Sequence, residues 1–85
     1  MERKIAILEP FFKSPYANLH IREVAKLTSI SHTTIAKYLK KLERDGFLIT
    51  NPTKPYSTYR ANTSSKKYLN LKLYYNLEKI RESKL

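Results

Sequence analysis

The stretch that most constrains the fold runs from His20 to Gly46 and predicts two short helices joined by a tight turn. In its first half, apolar and small residues recur at the spacing of one helix face, while charged residues fall on the other. Ser29 and Ile30 break this pattern. The Ser31 hydroxyl then suits the N-cap of a second helix, because it can accept a free backbone N–H. Gly46 supplies the left-handed conformation that ends this second helix.

A wheel of 3.6 residues per turn divides the second helix into an apolar and a polar side. The apolar stripe consists of Ile35, Tyr38, Leu39 and Leu42. The other side has small and hydroxyl-bearing residues at its start and cations along its length, which suits short contacts to base edges and longer contacts to phosphates. A solvated basic face on an ordinary surface helix is the alternative. The nucleic-acid-binding candidates on this helix are Ser31, His32, Thr33, Thr34, Ala36, Lys37, Lys40, Lys41 and Arg44.

This block resembles the helix-turn-helix of winged-helix DNA-binding regulators of the multiple-antibiotic-resistance and arsenic-sensor type, including small archaeal-type members. The resemblance is carried by IREVAKLTSISHTTIAKYLKKLERDGFL. Ala25 matches the small residue where the two helices cross in that family, and Ile30 matches the apolar residue that anchors the turn. Ser29 departs from the family, which usually has Gly there, and serine adopts the left-handed conformation only at a cost. The match spans roughly positions 3–63 and implies a winged helix that binds double-stranded DNA.

Two runs of strand-forming residues after Gly46 predict a β-hairpin. They cover residues 47–51 and 57–62, and two prolines stiffen the connection between them. By resemblance this hairpin is the wing, and Lys54 and Arg60 would contact the DNA backbone or minor groove beside the second helix. An ordinary hairpin with an exposed lysine is the alternative.

Two further helices flank this unit. Residues 2–13 predict a first helix that Pro10 kinks or stops early, because proline removes a backbone donor. Residues 63–84 predict a long last helix, capped by Asn62 or Thr63. The stripes expected to pack on the protomer's own core are Ile5, Leu8 and Phe12 on the first helix, and Leu69, Leu73, Leu77 and Ile80 on the last.

A second apolar strip on both flanking helices points to a partner chain, because one small domain has little core with which to cover two strips. In winged-helix regulators such a C-terminal helix usually makes a symmetric dimer, which implies a homodimer here. The alternative is that the tyrosines are merely half exposed, or that the first helix covers them within the protomer. We expect a DNA-binding domain over residues 1–63 and a dimerisation helix of the same domain over residues 64–85. The dimer-interface candidates are Ile7, Phe11, Tyr68, Leu71 and Tyr75.

The charge balance favours a polyanionic partner. Seventeen Lys and Arg against seven Asp and Glu give a net charge of +10, and such a field steers the association of nucleic acid. An anionic membrane surface or a ribosome-like environment are the other partners that this charge fits. No apolar run approaches the roughly 20 residues of a membrane span. We therefore expect a soluble, cytoplasmic protein without a membrane partner.

No pattern in the chain indicates an enzyme. There is no Gly-rich phosphate loop and no cysteine, and the two histidines are twelve residues apart. We take His20 as a helix-start residue, and we expect no metal, no cofactor and no small-molecule effector. The sequence predicts a mainly α protein with a small β-hairpin that acts as a sequence-specific, double-stranded DNA-binding transcriptional regulator and homodimer. The alternative is a protein-interaction module whose two-sided C-terminal helix docks another protein, with only non-specific nucleic-acid affinity.

Overall fold

The computed structural model describes residues 2–53 and 55–83, and the predicted contact residue Lys54 lies outside these ranges. The described parts form four helices and one hairpin, so the predicted mainly α architecture with a long last helix is confirmed. None of the described helices is long and apolar enough to cross a membrane. The elements are α1 (Arg3–Lys13), α2 (Ile21–Thr28), α3 (His32–Arg44), β1 (Leu48–Asn51), β2 (Thr58–Ala61) and α4 (Lys66–Ser83).

Helices α2 and α3 form the predicted helix–turn–helix. Between them Ser29 has φ 59°, so a serine occupies the left-handed conformation that favours glycine. The Ser31 hydroxyl caps α3 by accepting a backbone N–H of its first turn at 3.4 Å. At the other end Gly46 has φ +90°, and the N–H of the following residue bonds to the Leu42 carbonyl at 2.9 Å. Both ends of α3 therefore follow from the local signals in the sequence.

Replacing Ser29 by glycine is expected to raise the free energy of unfolding by about 1 kcal/mol. The left-handed conformation costs a non-glycine residue roughly 1–2 kcal/mol, and the greater freedom of glycine in the unfolded chain offsets part of this gain. Urea denaturation of the wild type, Ser29→Gly and Ser29→Ala measures the difference, and the alanine variant should show no gain. A glycine variant less stable than the wild type would mean that this turn is not strained.

Helix α1 continues through Pro10 to Lys13, so of the two predicted effects of the proline, a kink or an early stop, the early stop is wrong. The proline removes one backbone donor, but the N–H of Ser14 still bonds to the Pro10 carbonyl at 3.0 Å and closes the last turn. Burial of Phe11 and Phe12, which follow the proline, stabilises this turn by hydrophobic packing. All five large apolar side chains of α1 are buried, namely Ile5, Ile7, Leu8, Phe11 and Phe12.

The two apolar sides of α4 are used in the reverse of the predicted way. Tyr68 is 0% exposed and Tyr75 is 6% exposed within the single chain, whereas Leu73 and Leu77 are 58% and 53% exposed. Phe12 of α1 packs against both tyrosine rings, with centroid distances of 5.6 Å and 5.0 Å. Leu69 and Ile80, also predicted to face the core, are about half exposed as well. The alternative in which the first helix covers the tyrosines is the one that the structure bears out.

The proposed dimer contacts of α1 require the same correction. Ile7 and Phe11 are 0% exposed, because α1 packs against the helix–turn–helix and against α4 at once. Its second strip therefore belongs to the protomer's own core. With Tyr68 and Tyr75 buried as well, these four side chains cannot reach a second copy unless the protomer opens. Leu71 is half-buried against the core.

Hydrogen bonds at the ring ends explain why tyrosines occupy the buried side of α4. The Tyr68 hydroxyl donates to the Phe11 carbonyl at 3.1 Å. The Tyr75 hydroxyl donates to the Glu9 carboxylate at 2.8 Å, and the Lys79 ammonium lies 3.6 Å from the same carboxylate. Each ring thus combines a large buried area with a satisfied polar group.

Alkaline pH is expected to destabilise the fold. Burial, with a smaller effect of Tyr16, raises the pKa of Tyr68 above the usual 10.0, so the folded state keeps a proton that the unfolded chain loses near pH 10. Above that pH the unfolded state binds fewer protons, and the free energy of unfolding falls as pH rises. Thermal melts between pH 9 and pH 11 should show a smaller decrease for Tyr68→Phe than for the wild type. Equal decreases would rule out a contribution of Tyr68.

The hairpin is antiparallel and pairs Leu48 with Ala61 and Asn51 with Thr58. Leu19, in the loop before α2, bonds to Tyr59 through both backbone groups at 2.7 Å and 2.8 Å. Strand β2 therefore has a backbone partner on each side. This arrangement holds the base of the hairpin against the loop before α2.

Helix α4 begins three residues later than predicted. The Ser65 hydroxyl accepts the Tyr68 N–H at 3.3 Å and so serves as the cap. The Asn62 side chain, a predicted cap, instead donates to the Gly46 carbonyl at 2.9 Å. Asn62 therefore ties the exit of the hairpin to the end of α3.

Candidate nucleic-acid interface

The outward side of α3 is the candidate interface. Its opposite side fixes the helix in the core through Ile35, Leu39 and Leu42, each at most 2% exposed. Because residues three and four positions apart lie on the same face of a helix, the residues on the opposite side of α3 face solvent together. The exposed predicted residues of this segment are Ser31, His32, Thr33, Lys37, Lys40, Lys41 and Arg44.

Five of the predicted residues come together in one groove of about 410 Å³ along α3. Ala36 and Ile21 give the groove an apolar floor. Thr33 and His32 bring side chains that hydrogen-bond, and Lys37 and Lys40 bring ammonium groups. Such a surface can contact base edges through its short side chains and phosphates through its lysines.

The other predicted residues of this helix lie apart from the groove. The Ser31 hydroxyl donates to the Thr34 hydroxyl at 3.0 Å, and Thr34 is half-buried, so these two groups are engaged with each other at the helix start. Lys41 lines a separate depression with Arg3 and Asp45. Arg44 is exposed in the last turn of α3.

On the hairpin, the side chain of Arg60 lies on the outer face of β2. It alternates with Tyr59 and Ala61, which are buried, and its backbone lies opposite Ile49 of β1. Arg60 is half-buried. Of the two predicted wing contacts, Arg60 is thus the one whose position is described.

The sequence interpretation missed the residues that join the hairpin tip to α2. The Tyr56 ring lies 5.4 Å from the His20 ring and 5.9 Å from the Arg22 guanidinium. His20 does precede the first residue of α2, as predicted, and its backbone N–H donates to the Glu23 carboxylate at 3.1 Å. An exposed tyrosine beside a proline at a hairpin tip was the available signal, but only the tertiary structure shows which helix it meets.

In the described part of the chain, no group of three or more His, Asp or Glu side chains is arranged to hold a metal ion. The polar groups of the groove are hydroxyl, imidazole and ammonium groups. This donor set suits contact with an anionic surface.

Comparison with known proteins agrees with this geometry. Residues 16–49 match a family described as winged helix-turn-helix DNA-binding. No curated protein matches the chain. The fold is similar to the crystal structure of the transcriptional regulator Tm0710 from Thermotoga maritima, with a TM-score of 0.66 and 17% identity over 98% of this chain.

The matched part covers 61% of the Thermotoga chain, so the present chain spans about three fifths of that regulator's length. The family match begins in the loop before α2 and ends in β1, and so contains the complete helix–turn–helix and the groove of α3. Residues 16–49 are therefore similar to a winged helix-turn-helix DNA-binding family, and the resemblance to such proteins that the sequence predicted is confirmed.

Proposed function

We propose that this protein is a transcriptional regulator that binds specific sites in double-stranded DNA as a homodimer. The observation that carries the proposal is the groove of α3, whose exposed lysines and short polar side chains lie within one family-matched helix–turn–helix. A net charge of +10 supplies the long-range attraction. The similar Thermotoga protein is a transcriptional regulator, which supports the regulatory role.

In this proposal α3 enters the major groove. At 13 residues it is about 20 Å long, and the major groove admits such a helix. Thr33 and Ala36 would face base edges, because they are short and lie in the groove of α3, and His32 at the start of the helix would contact a base or a phosphate. Lys37 and Lys40 would contact phosphates on either side. The remaining proposed contacts are Ser31, Thr34, Lys41, Arg44, Lys54 and Arg60.

The homodimer is proposed to form through the exposed side of α4. Leu69, Leu73 and Leu77, which we call the leucine strip, are spaced four residues apart and are 48%, 58% and 53% exposed. Residues at this spacing lie one above another on a helix. A two-fold axis pairs such a strip with its own copy, and two copies of α3 related by that axis would suit an inverted-repeat site. This interface replaces the one that the buried tyrosines exclude.

The salt dependence of duplex binding tests the proposed function. If each subunit neutralises about four phosphates, a dimer is expected to show a slope of roughly −7 in a plot of log affinity against log salt. Fluorescence anisotropy over a salt series measures this slope. A slope shallower than about −3 would contradict joint engagement of α3 and the hairpin.

Thr33→Ala is expected to change the discrimination between preferred and random duplexes by on the order of 1–3 kcal/mol, because a lost base-edge contact affects specific sites most. Lys40→Ala provides the contrast and should weaken all duplexes alike, since phosphates carry no sequence information. Selection of bound fragments from genomic DNA supplies the preferred duplex. The two roles would be reversed if only the lysine variant altered the preference.

The leucine strip also supports a second candidate function, a module that docks another protein through α4. In that case the basic surface would give only non-specific affinity. Binding of duplex DNA no tighter than that of an unrelated basic protein of equal charge would favour this second function.

A further inference from the structure

A second cleft, of about 400 Å³, lies between the hairpin tip, the start of α2 and the exposed side of α3. We call it the wing cleft. Tyr56 and Pro55 form its wall on the hairpin side, and Arg22 and Lys40 bring cationic groups from α2 and α3. Both histidines of the chain line it, His20 from the start of α2 and His32 from the start of α3.

The groups that face the two histidines come from three elements. On the α2 side, His20 has Arg22 beside it in the cleft and the Glu23 carboxylate 3.5 Å from its Nε2 atom. On the hairpin side it meets the Tyr56 ring, with Tyr59 lining the cleft below.

From α3, Lys40 lines the wing cleft with His32, and Lys37 joins both in the adjacent groove. Glu43 is close enough to Tyr59 to add to the burial that raises the pKa of that phenol. Neither Glu23 nor Glu43 lines the cleft. With neutral imidazoles the charged lining groups are thus the two cations Arg22 and Lys40, and protonation of both histidines doubles that number.

We propose that the wing cleft binds one segment of the DNA sugar-phosphate backbone and that His20 and His32 make the affinity for DNA depend on pH. The inference rests on the proposed function, since duplex DNA is the ligand. A phosphate diester stays anionic over the pH range in which histidine titrates, and a nearby anion favours the protonated imidazole. Binding then takes up protons, so affinity rises as pH falls.

Protonation of His20 also bears on the hairpin tip. The Tyr56 ring already lies against the His20 ring and beside Arg22. A cationic imidazolium on this aromatic face adds a cation–π attraction. The same proton that adds charge to the wing cleft therefore also holds the hairpin in place against α2.

The test measures the affinity for a mixed-sequence DNA duplex, long enough for one dimer, by fluorescence anisotropy at about pH 5.5 and about pH 8.0. The wild type is expected to bind at least about tenfold more tightly at the lower pH. For His20→Gln and for His32→Gln, the logarithm of the ratio of the two affinities should be about half that of the wild type. The affinities of the double variant at the two pH values should differ by no more than about twofold. The salt slope of the wild type should also steepen at low pH by nearly 1 for each imidazolium that neutralises a phosphate.

Thermal melting at both pH values verifies that each variant is folded, and His20→Asn provides a second variant with a favourable N-cap residue. A double variant that keeps the wild-type ratio overturns the role of the histidines while duplex binding itself stands. A wild type that binds at neither pH instead contradicts the proposed function. If the variants lose the difference in affinity between the two pH values but the salt slope of the wild type does not steepen at low pH, the phosphate contact is not the cause of the pH dependence.

Discussion

Affinity for duplex DNA is expected to fall about a thousandfold when Lys37 and Lys40 are both replaced by glutamate. Each subunit loses two phosphate contacts, so a dimer loses four. Because affinity varies with salt concentration to a power of about −0.9 for each contact, four contacts contribute about 10³ at physiological salt. Both side chains are exposed on α3, away from the buried Ile35, Leu39 and Leu42. The variant should therefore keep its fold.

The matched control is Lys66→Glu with Lys67→Glu. These two exposed residues begin α4, and the substitutions change the net charge by the same amount while placing acids at a helix start, where they are favourable. Anisotropy at constant salt, with thermal melting as a check of folding, compares the two variants. Equal losses of affinity would show that net charge alone attracts DNA and would favour the protein-docking function.

The parts of the fold that the sequence predicted are those decided by local signals. The Ser31 hydroxyl needs only the next turn to cap α3, and Gly46 needs only its own backbone freedom to end it. The period of the apolar residues then determines which side of α3 is buried, and Ile35 and Leu39 confirm it. Because the candidate contacts of α3 are the remainder of that same helix, most of the candidate groove was predictable as well.

The side of α4 that packs on the domain could not be decided in this way. This helix is apolar on two sides, so its period alone does not distinguish Tyr68 and Tyr75 from Leu73 and Leu77. The choice depends on α1, which lies where Phe12 can pack against both tyrosine rings. The hydroxyl partners of these rings come from residues 57 and 66 positions away in the chain.

The wing cleft depends on tertiary structure in the same sense. His20, His32 and Tyr56 come from three separate segments, and each has an ordinary local role as a helix-start or loop residue. Leu19 pairs with Tyr59 through the backbone and so sets the distance between the start of α2 and the hairpin. Neither the periodicity nor the composition of the sequence indicates that these three residues lie close together.

The second large effect concerns assembly. Replacing Leu73 and Leu77 by glutamate is expected to convert the dimer into a folded monomer, because four charges would enter one apolar contact and each costs several kcal/mol if it stays buried. The protomer should tolerate the change, since both side chains are more than half exposed in the single chain. Sedimentation at tens of micromolar protein measures the assembly state, and thermal melting reports the fold.

Loss of the dimer should also weaken DNA binding, because a monomer makes half of the phosphate contacts and its salt slope should fall from roughly −7 to roughly −3.5. Asn70→Glu with Asn76→Glu is the matched control, since it adds the same charge at exposed positions of the same helix and should leave the dimer intact. A wild type that sediments as a monomer, or a dimer that survives Leu73→Glu with Leu77→Glu, would place the contact between subunits elsewhere. Monomerisation by both pairs would instead mean that added negative charge on α4, and not the leucine strip, controls assembly.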